Sequence, residues 1–358
     1  MSPLQGRPVP SQPAITVPRT LDQALDPAWL DQALHAVSGG AQVAAVEQVE
    51  VIRTVATKVR FAVTFAGSQE KHAFCLKGLL DVDEMTARGG ATCVLESDFY
   101  CKLAPTIPDL RVPTCVAAVI DREAQQAVVI MRDVTAEGGR FCSALEPFGA
   151  DDALRSLTQL SKLHASSAFL QGAEWIRPRA ADLARMTYVT PEMLQELLDG
   201  PRGDNLSPAV RDAGRLVAAM KALAARDGER PQFLIHGDAH AGNIFRTAQG
   251  AGLIDWQLLQ RGGWALDVAY HLNAVLPTEV AEAEERRLLR EYLSLMTGHG
   301  MAMPDDEEAW AQYREAAIYG YYLWAITRRV DPPIIVQFTD RLGKAVARHE
   351  SHALLGVA

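Results

Sequence analysis

Three polar side chains have the types and order that transfer of a phosphoryl group from a nucleotide requires. Asp238 and Asn243 lie in His236-Gly237-Asp238-Ala239-His240-Ala241-Gly242-Asn243-Ile244-Phe245, and Asp255 follows in Leu253-Ile254-Asp255-Trp256. In such a reaction one carboxylate accepts the proton of the attacking hydroxyl. An amide oxygen and a second carboxylate hold magnesium against the phosphates. Asp238 suits the first role, Asn243 and Asp255 the second. Apolar runs at 231–235 and 251–254 read as short strands with a turn at 247–250, so the polar groups fall at strand ends and in the loop between them. Apolar flanks lower the local dielectric, which strengthens a carboxylate's hold on a cation.

A second chemistry competes for the same residues. His236, Asp238 and His240 form a His-x-Asp-x-His cluster that can ligate zinc, which makes a metal-dependent hydrolase the rival enzyme class. Against it, no further His or Cys lies near in sequence to complete a tetrahedral set, and all five cysteines precede residue 143.

The two motifs together resemble the aminoglycoside phosphotransferase group, in particular its choline-kinase-like and ecdysteroid-kinase-like branch. The resemblance extends to Trp264-Ala265-Leu266-Asp267-Val268-Ala269-Tyr270, Phe74-Cys75-Leu76-Lys77, Glu96-Ser97-Asp98-Phe99-Tyr100 and Asp26-Pro27-Ala28-Trp29-Leu30, nearly the whole chain. It implies an α+β, two-lobed protein-kinase-like fold: a small lobe with a five-stranded antiparallel sheet and a helix, and a larger, mainly helical lobe. It also implies ATP or GTP as phosphate donor, magnesium as metal, and a hydroxyl of a small organic molecule as acceptor, an aminoglycoside-type antibiotic being one such class. By the same resemblance Lys77 contacts phosphate, Glu96 pairs with Lys77, and Asp267 braces the catalytic loop. Met131, Arg132 and Asp133 form the edge that meets adenine through backbone groups. His236 shapes the loop, and Gly237 stands where protein kinases carry the Arg that binds a phosphorylated activation loop, so that mode of switching is not expected. Asp98 competes with Glu96 but lies on another helix face, and only Glu96 keeps the spacing to Phe99-Tyr100.

One departure from the family pattern stands out. The turn Arg53-Thr54-Val55-Ala56-Thr57-Lys58 contains no glycine, although kinases use glycines there to bring backbone amides to phosphate. Thr54 and Thr57 offer hydroxyls and amides instead, and a plain hairpin turn is the alternative. This turn is also the one feature that suggests a pseudokinase, which binds nucleotide without chemistry. Lys77, Asp238, Asn243 and Asp255 argue against that reading.

The elements that must carry these residues change character along the chain. Residues 1–18, rich in Pro, Ser and Gln, read as a mobile arm. Strand-like alternation at 43–51, 59–65 and 73–77, a helix over 83–103 and strands at 115–121 and 127–131 make residues 19–133 the nucleotide-binding lobe. From residue 134 to 358 the pattern is helical, over 153–167, 191–198, 208–225, 277–296, 305–328 and 334–355. Trp310, Tyr313, Tyr319, Tyr321, Tyr322 and Trp324 crowd one of these helices. Helical spacing cannot point them all one way, so most belong to the core and two or three to an acceptor pocket, an aromatic wall that favours an apolar or ring-bearing alcohol over a polycationic sugar.

Composition agrees with an enzyme of two lobes, each with its own core: 358 residues, 48% of them hydrophobic, with a net charge of −9. No basic run invites nucleic acid, and no apolar stretch reaches the roughly 20 residues needed to cross a bilayer. The N-terminal sequence lacks a signal-peptide pattern, and five cysteines without a CxxC pair suit a reducing compartment, so a cytoplasmic location is expected.

Overall fold

A computed structural model describes residues 15–357. The expected arm therefore lies, over residues 1–14, outside the described residues. Residues 15–18 have no regular secondary structure, with Val17 buried and the Thr16 carbonyl accepting from the Trp29 indole at 2.8 Å. The chain divides into two compact units. The first runs to Pro108 and adds Val112–Arg140 and Ile254–Gln257. The second contains Asp109–Arg111, Phe141–Leu253 and the chain from Leu258 onward.

The first unit is built on an antiparallel sheet of β1 (Val43–Arg53), β2 (Thr57–Phe65), β3 (Lys71–Gly78), β4 (Cys115–Asp121) and β5 (Gln126–Arg132), in the order β1-β2-β3-β5-β4. In β2 every second residue is buried: Val59, Phe61 and Val63 join Phe74 and Leu76 of β3 and Leu30, Ala33 and Leu34 near the short helix Pro27–Ala33 in one apolar core. Strand alternation then directs Lys58 and Arg60 to the opposite face. There Lys58 stands directly across from Lys77 and Arg60 across from Cys75. β5, flanked by β3 and β4, is buried along almost its whole length, as a strand covered on both faces must be.

The helix expected over 83–103 is interrupted. It consists of Glu84–Ala87, a 3-10 turn at Arg88–Gly90, α1 (Ala91–Asp98) and a π-turn at Phe99–Leu103. The cause is a close approach: a Cβ on Gly90 would lie 1.9 Å from the Gln125 carbonyl oxygen, and the Gln126 side chain donates to the Ala87 carbonyl at 2.8 Å.

The second unit is mainly helical: α2 (Ala150–Ala165), α3 (Ala213–Gly228), α4 (Trp264–Val275), α5 (Thr278–Gly298), α6 (Asp306–Ile326) and α7 (Pro332–Arg348). Two boundaries differ from the periodicity. Asp212 leaves the helical conformation and caps α3 through the Arg215 N–H, dividing 208–225 in two, and Glu350, at φ +54°, separates α7 from Ser351–Leu354. α4 is buried on every side and packs chiefly against α6, so it shows no amphipathic period in sequence. Short strands β6 (Phe233–Ile235), β7 (Ile244–Thr247), β8 (Gly250–Leu253) and β9 (Gln260–Gly262) complete the unit, β6 pairing with β9 and β7 with β8. The segment read as a loop before residue 247 is therefore a strand, the partner that makes 250–253 a hairpin.

Candidate functional site

In the first unit, three charges converge on the sheet face opposite its core. The Lys77 ammonium lies 2.7 Å from Glu96 Oε2 and 2.9 Å from Asp255 Oδ1, and its side chain is 4% exposed. Burial alone would lower its pKa, but Asp255 and then Glu96 outweigh that and raise it, so the ammonium stays charged. α1 supplies Glu96, whose other oxygen accepts the Trp256 N–H at 3.3 Å. The Trp256 ring stacks on Phe99 with centroids 3.6 Å apart. Glu96 thus orients both the lysine and the segment that carries Asp255. Asp255 itself has φ +66°, a left-handed conformation that costs a non-glycine residue of order 1–3 kcal/mol and persists only where its surroundings hold it. The 18% exposure of its side chain leaves part of the carboxylate accessible.

Lys58 was not singled out by the sequence. Its ammonium stands 3.9 Å from Asp255 Oδ2, with 26% of the side chain exposed. The glycine-free turn is a closed hairpin. The Thr54 N–H and hydroxyl both donate to the Ala56 carbonyl, at 3.3 and 3.0 Å, and the buried Thr57 hydroxyl donates to the Leu80 carbonyl at 3.1 Å. Phosphate oxygens require donors, and both threonine hydroxyls and the Thr54 N–H are engaged by these carbonyls. At the edge expected for adenine, the Arg132 N–H donates to Thr114 and the Asp133 N–H to Ala73. The Asp133 carboxylate accepts from Arg60 Nε at 2.9 Å. The N–H groups of Arg132 and Asp133 are thus engaged within this unit, and the Asp133 carbonyl accepts the Glu137 N–H at 3.1 Å.

In the second unit, the loop after β6 is held by Asp267 of α4. Fully buried, this carboxylate accepts the His236 N–H at 2.6 Å, the Gly237 N–H at 2.7 Å and His164 Nε2 at 3.1 Å. Burial pushes its pKa up, but the His164 hydrogen bond and charge and the neighbouring donors outweigh that and hold it below the usual carboxylate value. His236 is buried and its Nδ1 accepts the Asp238 N–H at 3.2 Å. Gly237, at φ +81°, can be no other residue: a Cβ there would lie 2.3 Å from the Leu258 carbonyl oxygen. Its own carbonyl accepts the Tyr319 hydroxyl at 2.7 Å, and that hydroxyl accepts from Gln260 at 2.8 Å.

These braces place Asp238. Its Oδ1 accepts the Tyr270 hydroxyl at 3.0 Å, its Oδ2 accepts Asn243 Nδ2 at 3.1 Å, and the same amide donates to its backbone carbonyl at 2.8 Å. With Nδ2 turned to Asp238, the Asn243 side-chain oxygen points the other way, as a metal ligand would. Tyr270 accepts in turn from Trp324 Nε1 at 2.6 Å. His240 Nδ1 accepts the Gly242 N–H at 3.0 Å, so in the neutral ring the hydrogen sits on Nε2, 3.6 Å from Asp238 Oδ2. The ring packs against Trp324 and Phe338, at centroid distances of 5.2 and 5.1 Å, and these two lie 4.3 Å apart.

Of the aromatic group on α6, Trp324 and Tyr319 reach the loop. Tyr313, whose hydroxyl meets Glu285, and Tyr321, which bonds the Val210 carbonyl, are core, and Trp310 stacks on Tyr313 from a half-buried position. Tyr322 lines a separate cavity of about 790 Å³ with Ala184, Met220 and Ala224. Tyr270 and Phe338 were missed, because a buried aromatic on a helix carries no signal in sequence of what its tip touches. Among the described residues no three His, Cys, Asp or Glu side chains converge as a metal site, which removes the zinc-cluster reading of His236, Asp238 and His240. Asn243 in this unit and Asp255 in the first each offer a hard oxygen donor of the kind magnesium takes. No helix among the described residues is long and apolar enough to cross a membrane.

The sequence profile of the ecdysteroid kinase-like family matches residues 50–301, well over half of the 358-residue chain. Among solved structures, the chain is similar to an ethanolamine kinase from Plasmodium vivax at 14% identity, with 86% of this chain and 82% of that chain covered and a TM-score of 0.48. It is similar to a choline kinase from Cryptosporidium parvum Iowa II at 11% identity, covering 86% and 88%, with a TM-score of 0.49. An aminoglycoside-3'-phosphotransferase of type VIII follows at 19% identity, covering 81% and 98%, with a TM-score of 0.45. No curated protein matches the sequence.

Proposed function

The chain belongs to the ecdysteroid kinase-like family, and on that premise we propose that it transfers the γ-phosphate of ATP or GTP to the hydroxyl of a small, apolar or ring-bearing alcohol. The observation that carries this reading is the mounting of Asp238. Each carboxylate oxygen accepts a fixed donor, Tyr270 or Asn243, the loop beneath is anchored by Asp267, and 23% of the side chain stays exposed to receive a proton. A base held this rigidly meets the acceptor hydroxyl without reorganising.

Lys77, kept charged by Glu96 and Asp255, binds phosphate oxygens. Asn243 and Asp255 would hold magnesium, which when bound neutralises charge on the phosphates and orients them. Asp238 takes the hydroxyl proton as the new oxygen–phosphorus bond forms and the nucleoside diphosphate leaves. Trp324, Phe338 and the His240 ring form the apolar surroundings of the base, and they favour an acceptor with a hydrocarbon or ring framework.

The test is nucleoside diphosphate release from ATP and GTP in the presence of sterols, aliphatic alcohols, amino alcohols and aminoglycosides, for the natural protein and for Asp238→Asn. Acceptor-dependent release that falls about a thousandfold in the variant supports the reading. Release within tenfold of the natural protein would remove Asp238 from the role of base.

A further inference from the structure

We infer that Lys58 is a second phosphate-binding cation, one that takes over the work of the missing glycine-rich turn. This inference rests on the kinase reading above and extends it to a residue outside the motifs.

Three observations carry it. The register of β2 and β3 sets Lys58 directly opposite Lys77, so both ammonium groups rise from the same sheet face. They divide one carboxylate between them, Lys77 on Asp255 Oδ1 at 2.9 Å and Lys58 on Oδ2 at 3.9 Å. The hairpin that precedes Lys58 commits both threonine hydroxyls and the Thr54 N–H internally, on the Ala56 and Leu80 carbonyls. A phosphate lying on this face therefore finds no hydroxyl proton at Thr54 or Thr57. It does find two ammonium groups.

The two lysines differ in how they are held. Lys77 is buried and pinned by Glu96 and Asp255, so it is a fixed charge. Lys58 keeps 26% of its side chain exposed and reaches Asp255 only at the outer limit of an ion pair. A contact that long and partly solvated contributes little, and its four-carbon stem lets the ammonium swing away. Once Asp255 engages a metal ion, two lysines and that ion outweigh the charges of Glu96 and Asp255. A triphosphate is the counter-ion that restores balance. Lys58 then follows the phosphates, and its contribution grows with the number of phosphates present, whereas a purely structural role would not.

The experiment is calorimetric binding of adenosine, AMP, ADP and ATP, with and without magnesium, to the natural protein, Lys58→Gln and Lys58→Arg. Adenosine should bind Lys58→Gln within twofold of the natural protein, while ATP binds roughly tenfold or more weakly, the loss expected when a charge-assisted contact to phosphate goes. Lys58→Arg should recover most of that loss. An equal loss for adenosine and ATP would overturn the proposal in favour of a structural role, and unchanged ATP binding by Lys58→Gln would overturn it outright. If the natural protein binds none of the nucleotides, the kinase reading itself fails, which separates the two failures.

Discussion

Replacing Asp267 by Asn tests whether one buried carboxylate sets the catalytic loop. Asn is nearly isosteric, yet it presents one oxygen where Asp267 presents two, and two backbone N–H groups and His164 converge there. Whichever way the amide turns, its NH₂ faces a donor. A hydrogen bond to a charged group is worth about 1.5–3 kcal/mol, and a buried N–H left unpaired costs about 1–3 kcal/mol. The expected destabilisation is therefore about 3 kcal/mol for Asn and more for Ala, a large share of a typical 5–15 kcal/mol. Because His236 and Gly237 lead directly into Asp238, a loop shift of about 1 Å should also lower turnover on the order of a hundredfold. Urea unfolding at constant slope measures the first effect, and turnover at a temperature where the variant remains folded measures the second. The pH dependence follows from linkage. Asp267 has its pKa lowered in the folded protein from an ordinary 3.8, so its stabilisation is present above that value and is lost as pH falls through the lower folded value. Asp267→Asn should flatten that acid limb. A variant within about 0.5 kcal/mol of the natural protein, the margin of an ordinary surface change, and with full turnover would refute the argument that this carboxylate sets the loop.

Tyr270→Phe removes the donor on Asp238 Oδ1 and the acceptor of Trp324 Nε1 without changing the ring. Turnover should fall roughly ten- to a hundredfold with nucleotide affinity unchanged, and a selective rise in nucleotide KM would contradict the positioning role. His271 is fully buried. Its Nδ1 faces the Ala239 carbonyl at 2.8 Å and must carry the hydrogen, while Nε2 accepts from Ser156 at 2.7 Å. Burial, the largest influence, lowers its pKa from 6.5 to about 4. The unfolded chain therefore binds the proton first, and stability should fall as pH drops from about 6.5 toward 4, by up to roughly 3 kcal/mol. His271→Gln should reduce that slope, and an unchanged slope, read from urea midpoints across the range, would place its origin elsewhere, for example in His352, lowered to about 4 by the same cause.

The residues that stand out in the sequence share a property: they are polar or charged side chains where packing alone calls for apolar ones. Asp238, Asn243, Asp255 and Asp267 are acidic or amide groups beside apolar runs, where packing alone would not put them, and Lys77 ends a strand that a core would close with an apolar residue. Tyr270 was illegible because α4 is buried all round, and a tyrosine in such a helix looks like core until its hydroxyl is seen on Asp238. The broken helix at 83–103 was illegible for a different reason, since Gly90 is required by a backbone that approaches from Gln125, far along the chain. Lys58 shows the limit most clearly. A lysine on the polar face of an alternating strand is what any half-buried sheet displays, and only the pairing register shows that it faces Lys77 and shares Asp255. A pattern of period two reports which face a residue takes and is silent about its partner on the next strand. On the inference drawn for Lys58, the phosphate contact of this chain moves from a turn to a strand, and the motifs carry no mark of such a move.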